Sequence, residues 1–168
     1  VQTSGATVDR VMYLSGTSMA APQVAGAAAI LLQVNSNLTP NLVRAILTYS
    51  AQPLPGFNTW EQGAGELNVD GAVRLARLVK TTLPTANGST LLSSVLPTSQ
   101  TSIIGGQPVN WGKGLITNYG FLNGNDLMNF YQGIYGNGVL VGDGTPFANG
   151  ILAKSPTLTT LGVGFYAG

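Results

Sequence analysis

The stretch from Ser15 to Gly26 reads "SGTSMAAPQVAG" and places Ser18 directly before a long run of alanines and aliphatic residues. The run is apolar nearly all round, which predicts a helix from Ser18 to about Val34 that is buried on every side. Two interpretations of the serine remain open. Thr17 or Ser18 caps the helix, or Ser18 is a nucleophile at a helix end that favours negative charge.

The composition excludes several classes of function. The chain has 168 residues, enough for one domain or for a small domain with an appendage. Lys and Arg number 7 against 6 Asp and Glu, so no basic surface for nucleic acid is expected. The absence of cysteine excludes a disulfide framework and thiolate metal sites. Because histidine is absent too, the chain cannot form a Ser–His catalytic pair from its own residues.

The N-terminal region gives no targeting signal. It begins "VQTSGATVDR", without an initiator Met or a signal-like apolar core, so we expect a piece of a longer protein with any signal upstream. The longest apolar stretch, Met19 to Leu32, contains Pro22 and Gln23 and is dominated by Ala and Gly. We interpret it as a core helix that is too short and too weakly hydrophobic to span a membrane.

The first 80 residues predict further helices. A second helix begins at Pro40, with Thr39 as its N-cap and a hydrophobic staple between Leu38 and Val43. A last helix runs from about Asp70 to Lys80. Basic residues recur every three positions on its outer face: Arg74, Arg77 and Lys80.

The second half has a different character. Residues 81–101 are rich in Ser and Thr and predict a linker. Residues 102–168 repeat an apolar pair and a turn pair every six residues, which predicts a β extension that coils as a hexad β-solenoid. Its corners would be occupied by glycines: Gly114, Gly120, Gly138, Gly144 and Gly150. A plain Gly-rich irregular tail is the alternative.

Three motifs resemble those of the subtilisin-like serine peptidases. "GTSMAAPQVAG" fits the nucleophile motif G-T-S-M-A-x-P-H-V-A-G at ten of eleven positions. The departure is Gln23, where the family has a non-catalytic His. "LTPNLVRAIL" resembles the next helix of the family, and "GAGELNVDGAVRLA" resembles its glycine-containing strand and closing helix. The resemblance covers about residues 11–80 and implies an α/β fold: the C-terminal part of a parallel-sheet domain over residues 1–80, followed by a Gly/Asn-rich β extension.

The resemblance also implies the roles of individual residues. Ser18 would be the nucleophile, and its backbone N–H would donate to the oxyanion. The catalytic Asp, the catalytic His and the oxyanion Asn of the family precede the serine motif, so they would lie before Val1. Asp9 and Asp70 match no family position and are interpreted as a turn residue and a helix-start residue. Two further carboxylates receive no catalytic role either: Glu61 and Glu66.

The predicted function is that of a serine-type endopeptidase acting on polypeptide substrates and completed by the upstream part of the same domain, with this segment inactive alone. We expect no cofactor or metal site here, although calcium is frequent in full-length members of the family. We also expect an extracellular or cell-surface location and no nucleic-acid partner. Two alternatives remain: an inactive surface module whose β extension binds a partner, and a structural repeat protein.

Overall fold

The computed structural model describes residues 3–4, 11–117, 120–123 and 125–136. Short strands and helices alternate along this part of the chain. The strands are β1 (Thr3–Ser4), β2 (Val11–Met12), β3 (Thr101–Ile104), β4 (Gln107–Asn110), β5 (Gly114–Thr117) and β6 (Gly120–Asn123). The helices are α1 (Thr17–Val34), α2 (Pro40–Ser50), α3 (Thr59–Gln62), α4 (Val69–Leu78) and α5 (Asn125–Asn129), with a 3₁₀ turn at Gly133–Gly136.

The start of α2 confirms the prediction from its sequence. Thr39 is the N-cap, and its hydroxyl oxygen accepts from the Leu42 N–H at 3.3 Å. Pro40 takes the first helical position, where its missing N–H leaves no donor unsatisfied. Leu38 is buried, and Val43 packs against the same core. Local capping chemistry therefore fixes this boundary.

Helix α4 joins the other two long helices. Asn68 caps it by accepting from the Gly71 N–H at 2.9 Å. Its buried Ala72, Leu75 and Ala76 belong to the core that α2 also lines. At the end of α1, the Asn35 side chain donates to the carbonyls of Ala76 and Val79, at 3.3 and 3.0 Å. These bonds tie α1 to the C-terminal half of α4.

A single core contains residues from both halves of the sequence. From the first half it includes Leu31, Leu38, Leu42, Ile46, Tyr49, Leu75 and Val79. From the second half it includes Leu91, Leu92, Trp111, Met128, Tyr131 and Tyr135. Residues 81–100 are irregular and fold back onto α4, where the Lys80 N–H donates to Leu91 O and the Ser93 N–H to Leu78 O.

The prediction that α1 is buried on every side is wrong for the described residues. Only Ala27 and Leu31 of this helix are buried. Its exposed large apolar side chains, with their exposed fractions, are Met19 (41%), Val24 (44%), Ile30 (43%) and Leu32 (43%). The physical reason is that the described neighbours of α1 lie along one side, so the opposite side of an all-round apolar helix stays uncovered.

The predicted parallel sheet is not found among the described residues. They form three separate two-stranded sheets, β1–β2, β3–β4 and β5–β6, and each pair is antiparallel. Each pair is joined by a short connection, which suits antiparallel strands because a parallel pair needs a crossover of a dozen or more residues. The described segments therefore combine helices with local hairpins.

The solenoid prediction is wrong for residues 102–136. This segment forms two hairpins, then α5 and the 3₁₀ turn. Gly105 and Gly106, with φ of 57° and 80°, form the two-residue turn between β3 and β4. Gly114 and Gly120 begin β5 and β6 and do not form corners. Within each hairpin the two strands begin six residues apart, at Thr101 and Gln107 and at Gly114 and Gly120, so hairpins account for the period in this segment. The remaining predicted corners lie outside the described residues: Gly138, Gly144 and Gly150.

Candidate active site

Ser18 is the second residue of α1 and is exposed. Gly16 is the N-cap, and its carbonyl accepts from the N–H groups of Met19 and Ala20 at 3.0 and 3.2 Å. The N–H groups of Thr17 and Ser18 precede these first intrahelical bonds. They therefore belong to the donors that a helix N-terminus leaves without an internal partner.

The capping interpretation of Thr17 or Ser18 is wrong. The N-cap is Gly16, and no side-chain hydrogen bond caps the helix. Gly16 has φ 150°, a conformation that glycine adopts more readily than other residues. The chain therefore turns into α1 by means of the glycine backbone, and the Ser18 hydroxyl is left available for chemistry.

The electrostatics of this helix end favour a negative charge. None of the 18 residues of α1 carries a charged side chain, so none of them neutralises the positive end of the macrodipole. Unsatisfied N–H groups and a positive dipole end together attract anions. An oxyanion formed next to Ser18 would be stabilised by both.

The side chains of Asp70 and Glu61 make local contacts, whereas Glu66 is held through its backbone. Asp70 lies in the first turn of α4, as predicted, and its side chain pairs with Arg74 at 3.7 Å. Glu61 accepts from the Asn58 N–H at 2.8 Å, while its own N–H donates to Asn58 Oδ1 at 3.2 Å. This reciprocal pair is a capping box for α3. Glu66 exchanges two backbone bonds of 2.8 Å with Gln52. Asp9 lies outside the described residues.

Residues 3–4, 11–117, 120–123 and 125–136 contain no group of three or more His, Cys, Asp or Glu residues that could hold a metal ion. By length and composition alone, α1 reaches the range of a membrane span, with 18 residues and a mean hydropathy of 1.3, contrary to the expectation from its sequence. Core helices of soluble proteins reach the same range.

A groove of about 690 Å³ separates α1 from α2. Arg44 is the one charged residue among those lining it. The apolar lining includes Val24, Ala28, Leu32, Leu38, Val43 and Leu47. Large contiguous apolar surfaces usually mark interaction sites on a folded protein. The groove continues the uncovered face of the helix that carries Ser18.

Sequence reasoning missed Asn35, which positions this helix. It follows α1 as the C-cap residue and is 5% exposed. A polar residue after an apolar helix indicates the helix end. The carbonyl groups to which the Asn35 side chain donates, however, belong to residues 41 and 44 positions away. No local pattern reveals partners at that distance.

The segment that contains Ser18 is similar to a known protein family and to several known proteases. Residues 1–74 match the model of the subtilase family. Fervidolysin of Fervidobacterium pennivorans is 40% identical over 86 residues, which are 51% of this chain and 11% of that protein. An extracellular protease of Xanthomonas campestris pv. campestris is 44% identical over 63 residues, 37% of this chain and 11% of the relative. Serine protease AprX of Bacillus subtilis is 36% identical over 73 residues, 44% of this chain and 16% of the relative.

The chain thus spans 11% to 16% of the length of these curated relatives. No solved structure matches it. The matched segment contains the serine motif, α1, α2 and the first half of α4. The family match over residues 1–74 and the related proteases confirm the resemblance to the subtilase family that the three motifs carry.

Proposed function

We propose that this chain is the C-terminal part of a subtilisin-like serine endopeptidase in which Ser18 is the nucleophile. The observation that carries the proposal is the position of this serine: it is exposed, second in an uncharged 18-residue helix, with no side chain capping the helix end. The family match over residues 1–74 and the protease names of the relatives support the peptidase class.

In the proposed reaction, Ser18 Oγ attacks the carbonyl carbon of the scissile peptide bond. Its proton passes to a His imidazole of the remaining part of the domain, because this chain contains no histidine. An Asp from the same part orients that imidazole. The imidazolium then protonates the leaving amine, and water hydrolyses the acyl group left on Ser18 by the same steps.

The helix N-terminus supplies the electrostatic stabilisation. The Ser18 N–H donates to the oxyanion of the tetrahedral intermediate, and the positive end of the α1 macrodipole favours the same charge. A single oxyanion donor contributes about 2.7–4 kcal/mol to transition-state stabilisation in subtilisin itself. A second donor would come from the remaining part of the domain.

The uncovered face of α1 is the proposed contact surface for that remaining part. Each of four large apolar side chains leaves at least 41% of its area exposed: Met19, Val24, Ile30 and Leu32. Val24 and Leu32 also line the groove of about 690 Å³. Fully burying one aliphatic side chain contributes about 1.5–3 kcal/mol. Packing against the rest of the domain would therefore stabilise α1 and bring a His and an Asp towards Ser18.

We also propose an extracellular or cell-surface location, which is supported by the related extracellular protease of Xanthomonas campestris. Fractionation of the producing organism tests it. We expect the protein in the medium or on the cell surface, and recovery from the cytosol alone would contradict this location.

Labelling with a fluorophosphonate probe tests the nucleophile. In the full-length protein we expect the label on Ser18, since the probe traps an activated serine. Ser15→Ala is the matched control, because this exposed serine lies directly before the motif and outside the helix. It should label like the wild type, whereas Ser18→Ala should not label and should lower kcat by about a millionfold, the size of the loss in subtilisin.

The result also separates the peptidase from the alternatives. Labelling at another serine would overturn the assignment of Ser18. An unlabelled full-length protein that has a His and an Asp in family motifs would favour an inactive surface module.

A further inference from the structure

A notch in α4 accepts an indole ring from the second half of the chain. Gly71 is buried near the start of this helix. A Cβ atom at this position would lie 2.7 Å from Nε1 and 2.9 Å from Cε2 of Trp111. Any other residue would therefore collide with the ring. Glycine in a helix is less favourable than alanine by about 0.8–1.0 kcal/mol. Gly71 therefore lowers the helix propensity of α4 but leaves room for the indole ring.

Several groups hold the indole in this notch. Trp111 is 2% exposed, and its Nε1–H donates to Ser102 Oγ at 3.0 Å. The Arg74 guanidinium lies 4.9 Å from the ring centroid, within the range of a cation–π interaction. The Tyr49 ring meets Trp111 edge-on, with centroids 6.4 Å apart. The ring thus contacts α4, α2 and β3.

The Arg74 side chain extends the same contact. It donates to the carbonyl oxygens of Thr101 and Ser99, at 2.5 and 3.4 Å. Its position over the ring differs from the solvated outer face that the sequence predicts, because the segment from Ser99 to Trp111 lies on this side of α4.

The backbone next to Trp111 completes the end of α2. The Gly112 N–H donates to Ala51 O at 2.7 Å, and the Lys113 N–H donates to Tyr49 O at 2.9 Å. The last four carbonyls of a helix have no intrahelical partner, so these donors satisfy groups that would otherwise need another cap. The contact therefore combines side-chain packing with backbone hydrogen bonds.

We propose that the described residues of 81–117, 120–123 and 125–136 form an internal brace, anchored by Trp111 in the notch at Gly71, which sets the resistance of α2 and α4 to proteolysis. A protease cleaves a folded segment after it opens locally, and the cleavage rate follows the population of the open form when opening and closing are fast. The brace packs against α4 and against the end of α2. Releasing Trp111 should therefore raise the population of the locally open form. This role is independent of the chemistry at Ser18.

Limited proteolysis of the full-length protein by an added broad-specificity protease tests the brace. All variants carry Ser18→Ala, so that self-cleavage does not contribute. We expect Trp111→Ala to raise the cleavage rate about a hundredfold, because the large cavity destabilises the closed form. Ile103→Ala is the control on β3, where the side chain is 68% exposed, and it should leave the rate within about twofold.

The decisive measurement is the effect of Gly71→Ala in two backgrounds. With Trp111 present, the new methyl group collides with the ring, and cleavage should accelerate about tenfold. With Trp111→Ala, both close contacts with the ring are absent and only Asn68 Nδ2, at 3.0 Å, stays near the new methyl group. The better helix former should then slow cleavage, by up to about fourfold. Should Trp111→Ala fail to fold, Trp111→Leu replaces it, since leucine leaves the positions of Nε1 and Cε2 empty. The same acceleration in both backgrounds, or no acceleration with Trp111 present, would overturn the proposal.

Discussion

Helices α1 and α2 follow each other in the chain and have opposite surroundings. Helix α2 buries the apolar side chains of one face: Leu42, Ala45, Ile46 and Tyr49. Helix α1 is the more apolar of the two, yet it buries only Ala27 and Leu31. A helix that is apolar on every side is suited to packing on every side, whether or not all of its neighbours lie in the same segment. The difference between the two helices marks the face of α1 that the described residues leave for another part of the protein.

The helix ends differ in the same way. Thr39 caps α2, and its hydroxyl donates to the carbonyl of Tyr135. The start of α1 has no side-chain cap and is exposed around Ser18. The helix end without a side-chain cap is the end to which we assign chemistry.

The largest effect is expected from matched truncations of isoleucine in the two helices. Ile46 is 0% exposed on α2, and Ile30 is 43% exposed on α1. Ile46→Ala should lower the free energy of unfolding of this chain by about 2–5 kcal/mol, whereas Ile30→Ala should cost less than about 1 kcal/mol. Denaturant unfolding measures both losses. Equal losses would contradict the difference between the helices.

Alkaline pH should destabilise the core around α2, because this helix contains the buried Tyr49. Helix α1 contains no titratable side chain and should not add to the pH dependence. Burial raises the pKa of Tyr49 to about 12. The unfolded value is about 10. The stabilisation from keeping this phenol neutral is therefore complete below pH 10 and is lost as the pH rises towards 12, about 2.7 kcal/mol in total.

Denaturant unfolding between pH 9 and pH 12 measures this loss. Burial also raises the pKa of Tyr135, which adds a loss in the same direction. Tyr49→Phe is the control: it should be less stable at neutral pH and should show a shallower pH dependence. An unchanged slope in this variant would show that Tyr49 does not contribute.

Enlarging Ala25 tests whether another part of the protein covers α1. This residue is exposed among the described residues and lines the groove. If the remaining domain packs there, Ala25→Leu should destabilise the full-length protein by about 1–3 kcal/mol through overpacking. Arg77→Ala, on the exposed side of α4, should change stability by less than about 0.5 kcal/mol. Thermal unfolding measures both changes, and equal stabilities of the two variants would show that no other part of the protein packs on α1.

The smallest effect compares the two helix starts. Thr39→Ala removes the cap of α2 and should cost about 1 kcal/mol. Thr17→Ala makes the same chemical change at the start of α1, where no side chain caps the helix, and should cost almost nothing. Urea midpoints resolve the two losses, and a larger loss at Thr17 would restore the capping interpretation.

The sequence predicts features whose causes are local. Thr39 and Pro40 predict the start of α2 because capping requires particular residues at adjacent positions. The position of Ser18 at the start of α1 follows from a motif of eleven residues in the same way. Both features depend on groups only a few positions apart, so the fold around the candidate site is predictable there.

Features that depend on distant partners were not predicted. The contact between Gly71 and Trp111 joins residues 40 positions apart, and no local sequence pattern indicates that they pair. The period of six residues is compatible with a coil and with hairpins, because a four-residue strand and a two-residue turn have the same repeat. Apolarity also cannot show whether the neighbour of a helix lies within this segment, which is why the burial of α1 was overestimated.

The bonds at the two ends of α2 have a consequence for synthesis. Its first cap residue, Thr39, bonds to a carbonyl 96 residues downstream, and its last carbonyls bond to the backbone of Gly112 and Lys113. At about 5–20 residues per second, the ribosome delivers the last of these partners roughly 5–20 s after Thr39. During this interval α2 has α4 beside it but lacks the cover that β5 and the 3₁₀ turn supply. A nascent chain that stops before Tyr135 should therefore engage chaperones more strongly than one that has passed it.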